Sequence, residues 1–500
     1  MLIVGVLEDS TLQNALVRAF HYANRVDVFE LRIDCLSHWE CSDIANFQLH
    51  IAKPLIFSLR SIKQGGRFVG SKTQQIAQLH ELAALAPAYL EVEYTIPEQV
   101  IEKIHDMYPS LRLIRSFYDY LATPHELTSL LQTLIHPACC MIKLVTMAQS
   151  SRDCLRMLNV LQCVNVKRPR YDLVAYCMGE KGVPSQILGA ALGNFFTYGY
   201  LPEPIAATDQ IDVDTLLNLY NLQQLNFQTR FFALLGDPVA QSVGHIFHNV
   251  EFKKRGINCV YVKFEVNADE LPLFIESMKS LPFRGLSITT PLKQAIMPLL
   301  DHLQEQDKAL GAINTVCVTR KGLYGSNTDG IGAIRALEVG IGEMLIGHLV
   351  ILLGAGSAAT AIAFAAAHRR GRIIIINRTL IKAQQLAKRI QDMMTPDISN
   401  TPQYVQSYDF STFSEVKLNA SCILINALPA AIKLPDHFLA QLSNYDKVCL
   451  FDINYYHPNS ALVEIANQHD WQRIDGIEMF YEQALEQLAI WAGSPIGSSL

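Results

Sequence analysis

The chain has 500 residues, of which 50% are hydrophobic and 18% charged, a balance that excludes an intrinsically disordered protein. This length exceeds one hydrophobic core and predicts about two to four domains. The net charge of −6 and the lack of a basic patch with interleaved aromatic residues argue against nucleic-acid binding.

The 11 cysteines are scattered without a C-x-x-C pair, which predicts reduced thiols and a cytoplasmic protein. No cluster has metal-ligand spacing, so no metal is expected. A strand is predicted from residue 2 onward, and no targeting segment is expected before it. Residues 350–367 lack charge, but their Ala, Gly and Ser content favours a buried strand and helix over a membrane span.

The first 200 residues alternate short apolar runs with longer amphipathic stretches. Consecutive runs start about 20 to 35 residues apart, which is the spacing of parallel strands joined by crossover helices. We therefore predict a (β/α)8 barrel, with an open doubly wound sheet as the alternative. The predicted strands are 2–7, 26–33, 54–59, 88–92, 112–117, 140–145, 171–176 and 194–197.

Charged side chains cluster at the predicted carboxyl ends of these strands, where barrel enzymes carry their chemistry. They include Glu30, Arg32 and Arg60, and Tyr118 follows the fifth strand. Lys143 lies between apolar residues inside the sixth strand. Burial favours the neutral amine that a Schiff base requires, although a lysine near a strand edge can also reach solvent.

Residues 1 to about 212 resemble type I 3-dehydroquinate dehydratases. The resemblance rests on Glu30-Leu-Arg-Ile-Asp34, Ser58-Leu-Arg60, Lys143, Asp153-Cys-Leu155 and the motif 178–185. It implies that Lys143 forms an imine with the substrate ketone, so that a neighbouring proton becomes acidic and water leaves. It also implies that Glu30, Arg32, Arg60 and Gln210 bind or orient the substrate.

Four positions depart from that family's pattern. Tyr118 stands where the family has its acid–base histidine, and a phenol is a poorer base at neutral pH. Gln64 replaces a glutamate, Gln186 replaces an arginine, and Ala206 replaces a serine. Either the barrel is a slower or altered dehydratase, or it is an impaired module that serves as a scaffold.

The second half begins after a polar linker at 213–230, which is predicted to contain one helical element, and it comprises two α/β segments. The first, 231–335, is predicted to be a substrate domain, completed by a helical tail at about 476–500. The second, 336–475, is predicted to be a Rossmann-type nucleotide-binding domain. Its first strand leads directly into Gly354-x-Gly356-x-x-Ala359 and an Ala-rich helix, with a second strand at 372–376.

This strand–turn–helix–strand arrangement predicts a dinucleotide site. The first glycine permits a tight turn, the second lets the backbone approach a pyrophosphate, and the helix offers free N–H groups to the anion. The residues expected to contact the cofactor are Gly354, Ala355, Gly356, Ser357 and Ala358, followed by Asn377, Arg378 and Thr379.

The sequence after the second strand favours NADP(H) over NAD. An enzyme specific for NAD would carry Asp or Glu there, and that carboxylate would repel a 2′-phosphate. Arg378 can instead stack on adenine and pair with the phosphate, and Thr379 can donate a hydrogen bond to it. An exposed arginine with no such role is the alternative.

Lys293 and Asp329 each follow a predicted turn and can together exchange a proton with an alcohol or carbonyl. With Gly236-Asp-Pro-Val239, Gly311-Ala-Ile-Asn-Thr315 and Asn327-Thr-Asp329, they make residues 231–495 resemble shikimate dehydrogenases. The resemblance implies NADPH-dependent reduction of 3-dehydroshikimate, with Lys293 and Asp329 in catalysis. It implies substrate contacts from Ser242, Thr289, Asn314, Tyr455 and Gln483.

Gly244 departs from this second family, which usually has a serine there to hold the substrate carboxylate. Losing a hydrogen bond to a charged group costs about 1.5–3 kcal/mol unless it is replaced, and His245 is a candidate replacement. The added room is also hypothesised to admit quinate, which carries an additional hydroxyl at a tetrahedral C1. A kcat/KM for quinate far below that for shikimate would refute this hypothesis.

Together the two halves imply an enzyme for successive steps, dehydration of 3-dehydroquinate and then reduction of 3-dehydroshikimate to shikimate. The alternative is a shikimate or quinate dehydrogenase that carries the barrel as a scaffold. Only small-molecule substrates are expected as partners, without nucleic acid or membrane. The sequence leaves the oligomeric state open.

Overall fold

The computed structural model describes residues 1–166, 170–202, 211–393, 405–415, 421–429, 432–445, 447–455 and 461–493. The chain forms two compact units, Met1–Phe283 and Arg284–Leu500. The first unit contains the predicted barrel and the start of the second half. The second unit contains the remaining strands and helices.

Eight parallel strands form the sheet of the barrel. They are hydrogen-bonded in the order β7-β6-β5-β4-β3-β2-β1-β8, which follows the chain except that β8 lies beside β1. The barrel prediction is therefore confirmed. The strands are β1 Leu2–Leu7, β2 Val28–Arg32, β3 Leu55–Ser58, β4 Tyr89–Glu93, β5 Arg112–Asp119, β6 Cys139–Met147, β7 Asp172–Met178 and β8 Phe196–Gly199.

A helix follows each strand, as parallel neighbours require. α8 packs on the barrel because Val213 and Leu216 are fully buried, although this segment begins the predicted linker. The helices are α1 Leu12–Tyr22, α2 Cys41–His50, α3 Lys72–Ala84, α4 Glu98–Met107, α5 Leu127–Leu134, α6 Ser151–Val166, α7 Val183–Ala191 and α8 Val213–Asn218.

One apolar cluster fills the barrel interior and takes side chains from all eight strands. On β6 the members are Met141 and Val145. Because side chains alternate along a strand, Lys143 between them points into the same interior. This register places the candidate Schiff-base lysine inside the barrel.

The first unit continues with β9 Arg230–Gly236, α9 Gly244–Lys254, β10 Cys259–Glu265 and α10 Leu271–Met278. β9 and β10 pair in parallel. This segment contacts the barrel helix α6, where the Ser151 hydroxyl donates to the Glu265 carbonyl at 2.6 Å and the Asn159 amide donates to the Ser277 carbonyl at 3.1 Å.

The second unit opens with a mixed sheet, in which β13 pairs antiparallel with both β11 and β14, and β12 pairs in parallel with β14. β11 begins at the last residue of the first unit. The elements are β11 Phe283–Ile288, α11 Leu292–Ala295, β12 His302–Leu303, α12 Glu305–Leu310, β13 Thr315–Thr319, β14 Gly322–Ser326 and α13 Asp329–Ile341.

A six-stranded parallel sheet follows, in the order β17-β16-β15-β18-β19-β20. This is the strand order 3-2-1-4-5-6 of the Rossmann fold, so that prediction is confirmed. The elements are β15 Leu349–Leu353, α14 Ser357–His368, β16 Arg372–Ile376, α15 Leu380–Met393, β17 Val405–Tyr408, β18 Cys422–Asn426, α16 Asp436–Leu442, β19 Val448–Asp452, α17 Ala461–Gln468, β20 Gln472–Asp475 and α18 Gly476–Gly493.

Apolar clusters cover both faces of this sheet, as expected for parallel strands with helices on either side. The uncharged stretch 350–367 forms most of β15 and α14. In the part of the chain that the structure describes, no helix has the length and apolar character needed to cross a membrane.

Candidate active sites

Lys143 is the centre of a buried charged cluster in the barrel. Its side chain is 1% exposed, and its ammonium donates to the Glu30 carboxylate at 2.6 Å and to the Glu91 carboxylate at 3.0 Å. Arg60 pairs with the other oxygen of Glu30 at 3.0 Å. Glu30 lies on β2, Glu91 on β4 and Lys143 on β6, and Arg60 follows β3, so four strands of the barrel bring charged side chains into one site.

The Tyr118 phenol lies in the same cluster, at the end of β5. Arg60 donates to its oxygen at 2.6 Å, and the phenol donates to Glu91 at 2.9 Å. Burial raises the pKa of Tyr118 well above its ordinary value. The side chain therefore remains a neutral hydrogen-bond donor throughout the neutral pH range.

Glu91 is a site residue that the sequence reasoning missed. Burial alone would raise the pKa of Glu91, but Lys143 and Arg60 bring it down to about 2, so the carboxylate is ionised. The alternation on β4 could have revealed it. Tyr89 belongs to the interior cluster, so the side chain two residues later faces the same interior.

The other predicted barrel residues have different positions. Arg32 pairs with Asp34 at 2.7 Å and with Glu8 at 3.0 Å, whereas Lys143 pairs with Glu30 and Glu91. Gln64 accepts the Tyr118 backbone N–H at 2.9 Å, so it holds the end of β5 in place. Gln186 is buried within α7. Gln210 and Ala206 lie outside the described residues.

In the second unit, Lys293 and Asp329 form an ion pair, with side-chain exposures of 15% and 9%. Lys293 lies on α11, and its carbonyl accepts the Ile313 N–H at 2.8 Å. Asp329 is the first residue of α13. This geometry brings together the two residues that the sequence pattern singled out as a proton-exchanging pair.

Asn314 fixes the orientation of Asp329. The side-chain amide nitrogen of Asn314 donates to the second Asp329 carboxylate oxygen at 2.7 Å, and its side-chain oxygen accepts the Thr328 backbone N–H at 2.9 Å. Gln483, on α18, accepts from Asn314 and from the Thr328 hydroxyl, both at 3.3 Å. α18 approaches closely at Gly332, where a Cβ would lie 2.6 Å from Gln483.

Gln487, one turn beyond Gln483, is a second residue that the sequence reasoning missed. It is buried, it accepts from the Ser287 hydroxyl at 3.0 Å, and it donates to the Thr315 hydroxyl at 3.0 Å. The i, i+4 spacing on one helix could have indicated that it shares a face with Gln483. Gln487 therefore links α18 to β11 and β13 next to Asn314.

Two further predicted substrate contacts are partly accessible. Thr289 directly follows β11 and is half-buried, and its carbonyl accepts the Leu292 N–H at 2.8 Å. Tyr455 follows β19, and its ring centroid lies 5.9 Å from that of Phe480 on α18. Their proposed contacts with substrate stay predictions.

The loop between β15 and α14 has the geometry of a dinucleotide cradle. Gly354 has a φ of +111°, a conformation that L side chains rarely adopt. A Cβ built on Gly356 meets no atom within 4 Å, so the space there is open for a pyrophosphate. Ala355 lies in the turn, α14 begins at Ser357, and Ala358 is its second residue. These residues fit a dinucleotide.

The segment after β16 contains no carboxylate. The Asn377 amide donates to the Thr379 carbonyl at 3.0 Å, and the side chains of Arg378 and Thr379 are exposed. Both are therefore accessible to a cofactor. No group of potential metal ligands occurs among the described His, Cys, Asp and Glu residues.

Ser242 and Gly244 lie in the first unit, at the start of α9. The Ser242 hydroxyl accepts the Gly244 N–H at 3.2 Å. A Cβ on Gly244 would meet Ser242 and Tyr261 at 3.4 Å, an ordinary contact, so a serine would fit there. Burial, assisted by Lys263, lowers the pKa of His245 to about 4, so this residue offers no positive charge at neutral pH.

Three family models match consecutive parts of the chain. Residues 6–226 match type I 3-dehydroquinase, 234–316 match the substrate-binding domain of shikimate dehydrogenase, and 339–421 match shikimate/quinate 5-dehydrogenase. Their order is the one expected from the motifs.

Named relatives extend over most of the chain. The shikimate biosynthesis protein AroDE of Chlamydia muridarum is 31% identical, covering 83% of this chain and 80% of its own length. The bifunctional 3-dehydroquinate dehydratase/shikimate dehydrogenase of Arabidopsis thaliana, which is chloroplastic, is 28% identical, covering 95% and 79%. The shikimate dehydrogenase (NADP(+)) of Methanocaldococcus jannaschii is 34% identical, covering 54% and 93%.

Proposed function

The chain belongs to the family of fused type I 3-dehydroquinases and shikimate dehydrogenases, and on that premise we propose how its residues perform the two reactions. The barrel dehydrates 3-dehydroquinate to 3-dehydroshikimate through Lys143. The second half reduces 3-dehydroshikimate to shikimate through Lys293 and Asp329. The observation that supports the first step most strongly is the buried lysine between two carboxylates.

Lys143 is proposed to attack the substrate ketone and form an imine with release of water. Before it attacks, the ammonium must lose a proton, and Glu30 or Glu91 is within hydrogen-bond distance to accept it. The imine makes the adjacent C–H acidic, the C1 hydroxyl then leaves as water, and hydrolysis restores the amine. Arg60 and Arg32 are proposed to hold and orient the charged substrate.

The division of proton transfer follows from the two side chains beside Lys143. Glu91 is ionised and accepts the proton from the substrate carbon. Tyr118 stays protonated and donates to the leaving hydroxyl, taking the acid role that a histidine would otherwise perform. This assignment makes the barrel a dehydratase with altered acid–base chemistry rather than a scaffold.

In the reductase half, Lys293 is proposed to donate a proton to the carbonyl oxygen as it becomes a hydroxyl. Asp329 holds Lys293 in position, and Asn314 holds Asp329. Thr289, Gln483, Tyr455 and Ser242 are proposed to bind the hydroxyl and carboxylate groups of the substrate. These neutral side chains suit a polyhydroxylated acid.

NADPH, when bound, supplies the hydride for this reduction. Gly354 and Gly356 allow its pyrophosphate to approach the backbone, and α14 presents free N–H groups to it. We propose NADPH over NADH because Arg378 and Thr379 are exposed and lack a neighbouring carboxylate in the segment after β16.

We further propose that the protein acts in the cytoplasm on small-molecule substrates. All 11 cysteines lie in the described residues, and none of them forms a disulfide there, which a reducing compartment favours. The hypothesis that Gly244 admits quinate stays a prediction.

Borohydride trapping tests the barrel chemistry. Incubation with 3-dehydroquinate and borohydride should reduce the imine to a stable amine, which leaves the ligand carbon skeleton without its ketone oxygen on Lys143, located by peptide mass spectrometry. Lys143→Ala and incubation with shikimate, which lacks a ketone, are the matched controls, and neither should give an adduct. A wild-type protein without an adduct on Lys143 would exclude Schiff-base catalysis.

A further inference from the structure

Asp307 lies outside every motif discussed above, yet its side chain reaches the segment that carries Asp329. It is on α12 and is 7% exposed. Its carboxylate accepts the Asn327 backbone N–H at 3.2 Å. Asn327 in turn accepts the Asp329 N–H at 2.9 Å and donates to the Ala312 carbonyl at 2.7 Å. Asp307 therefore holds the turn that begins α13.

The charge of Asp307 has no cationic partner within ion-pair distance among the described residues. Its side chain lines a cavity of about 1100 Å³ in the second unit. The other ionisable groups of the lining that have such partners are engaged elsewhere: Lys308 with Glu305, Arg369 with Glu338 and Glu486 with Arg335. The remaining ones are Asp301, His302, Cys317, Tyr324 and His368.

Arg389 is a further cation near α12, and it is also engaged with other groups. The Arg389 guanidinium, on α15, donates to the Leu310 carbonyl at 2.9 Å at the end of this helix. Among the described residues, the Asp307 carboxylate therefore accepts one hydrogen bond, from the Asn327 backbone N–H.

We propose that Asp307 is a positioning residue of the reductase site, which through Asn327 fixes where Asp329 presents its carboxylate to Lys293. The inference rests on the proposed roles of Lys293 and Asp329. It adds a proton-sensitive element to that site, because an ionised carboxylate accepts an N–H more strongly than a neutral acid does. The cavity gives protons access to it.

The pH range follows from burial. Burial raises the pKa of Asp307 to about 6, although the Asn327 N–H opposes the shift. As the pH rises through about 6, the carboxylate ionises, the hold on Asn327 strengthens and turnover increases. Binding should change little because Asp307 does not contact the substrate.

The test compares Asp307→Asn with the wild type in kcat and KM for 3-dehydroshikimate reduction between about pH 5 and 8. The wild-type kcat should fall about 10-fold on acidification through pH 6, which corresponds to one charge-assisted hydrogen bond. The Asp307→Asn variant should have a kcat at every pH like that of the acidified wild type, with no inflection near pH 6. Its KM should remain within about two-fold of the wild-type value.

Asp301→Asn is the matched control, because Asp301 lines the same cavity but accepts the Leu323 N–H instead. It should keep the wild-type pH profile. Far-UV circular dichroism and the thermal unfolding midpoint of the same samples report that the chain is folded, and Asp307→Ser provides a second neutral variant. An Asp307→Asn protein with the wild-type inflection, or an Asp301→Asn protein that loses it, would overturn the proposal. A wild-type protein that reduces no 3-dehydroshikimate would instead refute the proposed function.

Discussion

In the proposed mechanism, Tyr118 determines which proton transfers the barrel can perform. A histidine titrates near neutral pH and can serve as both acid and base. A buried phenol with a raised pKa stays protonated and can serve only as a proton donor. The neighbouring Glu91 supplies the acceptor that the phenol cannot. The pair therefore divides between two side chains what one imidazole does alone.

Tyr118→Phe should keep the borohydride adduct but lower dehydratase kcat by about 10²- to 10⁴-fold, the usual contribution of one proton-transfer group. The wild-type kcat should show no basic limb from this residue below pH 9, because the Tyr118 pKa is raised. Tyr118→His should introduce a new limb near the imidazole pKa of about 6.5. Steady-state kcat measured across pH tests the expectation for the wild type, for Tyr118→Phe and for Tyr118→His.

Tyr120→Phe is the control for that series. Its hydroxyl also accepts from Arg60, at 3.3 Å, but no hydrogen bond joins it to Glu91. Its kcat should stay within a few-fold of wild type. A Tyr118→Phe enzyme with wild-type turnover would show that the phenol transfers no proton.

At the residue scale, sequence reasoning found side chains that belong to recognisable motifs. The ion pair of Lys293 with Asp329 and the cluster around Lys143 are examples. It missed Glu91, Gln487 and Asp307, since each is a common polar residue outside a motif. Their roles depend on which neighbours the fold brings within about 3 Å.

At the scale of elements, the alternation of apolar runs located all eight barrel strands. Buried parallel strands are continuous apolar segments, and helices between them separate these segments regularly. Residues 213–218 begin a segment that is polar as a whole and predicts a linker with one helical element. Val213 and Leu216 supply the apolar surface with which this helical element, α8, packs on the barrel.

The turn after β16 should set cofactor preference. Arg378→Ala should lower kcat/KM for NADPH by about 10- to 150-fold, as expected for loss of one charge-assisted hydrogen bond to the 2′-phosphate. The kcat/KM for NADH should change little, because NADH lacks that phosphate. Initial rates with NADPH and with NADH give the two kcat/KM values and their ratio.

Arg372→Ala is the matched variant, since Arg372 is also exposed but begins the same strand at its opposite end. It should leave both values unchanged. If Arg378→Ala weakened NADPH and NADH equally, the arginine would act on a part common to both cofactors and not on the phosphate.

At the scale of the whole molecule, two chemically different sites lie in one chain. The Schiff-base cluster belongs entirely to the first unit, and the ion pair of Lys293 with Asp329 belongs entirely to the second. Each proposed set of reacting side chains lies within its own unit. A substitution in one set should therefore leave the chemistry of the other intact.

The measurement that tests this account most directly is NADPH oxidation by the intact protein after addition of 3-dehydroquinate alone. The wild type should oxidise NADPH, because the barrel makes the ketone that the second half reduces. Lys143→Ala should oxidise NADPH only when 3-dehydroshikimate is supplied, and Lys293→Ala should fail with either substrate. A wild-type protein that oxidises NADPH with 3-dehydroshikimate but not with 3-dehydroquinate would contradict the account and leave the barrel as a scaffold.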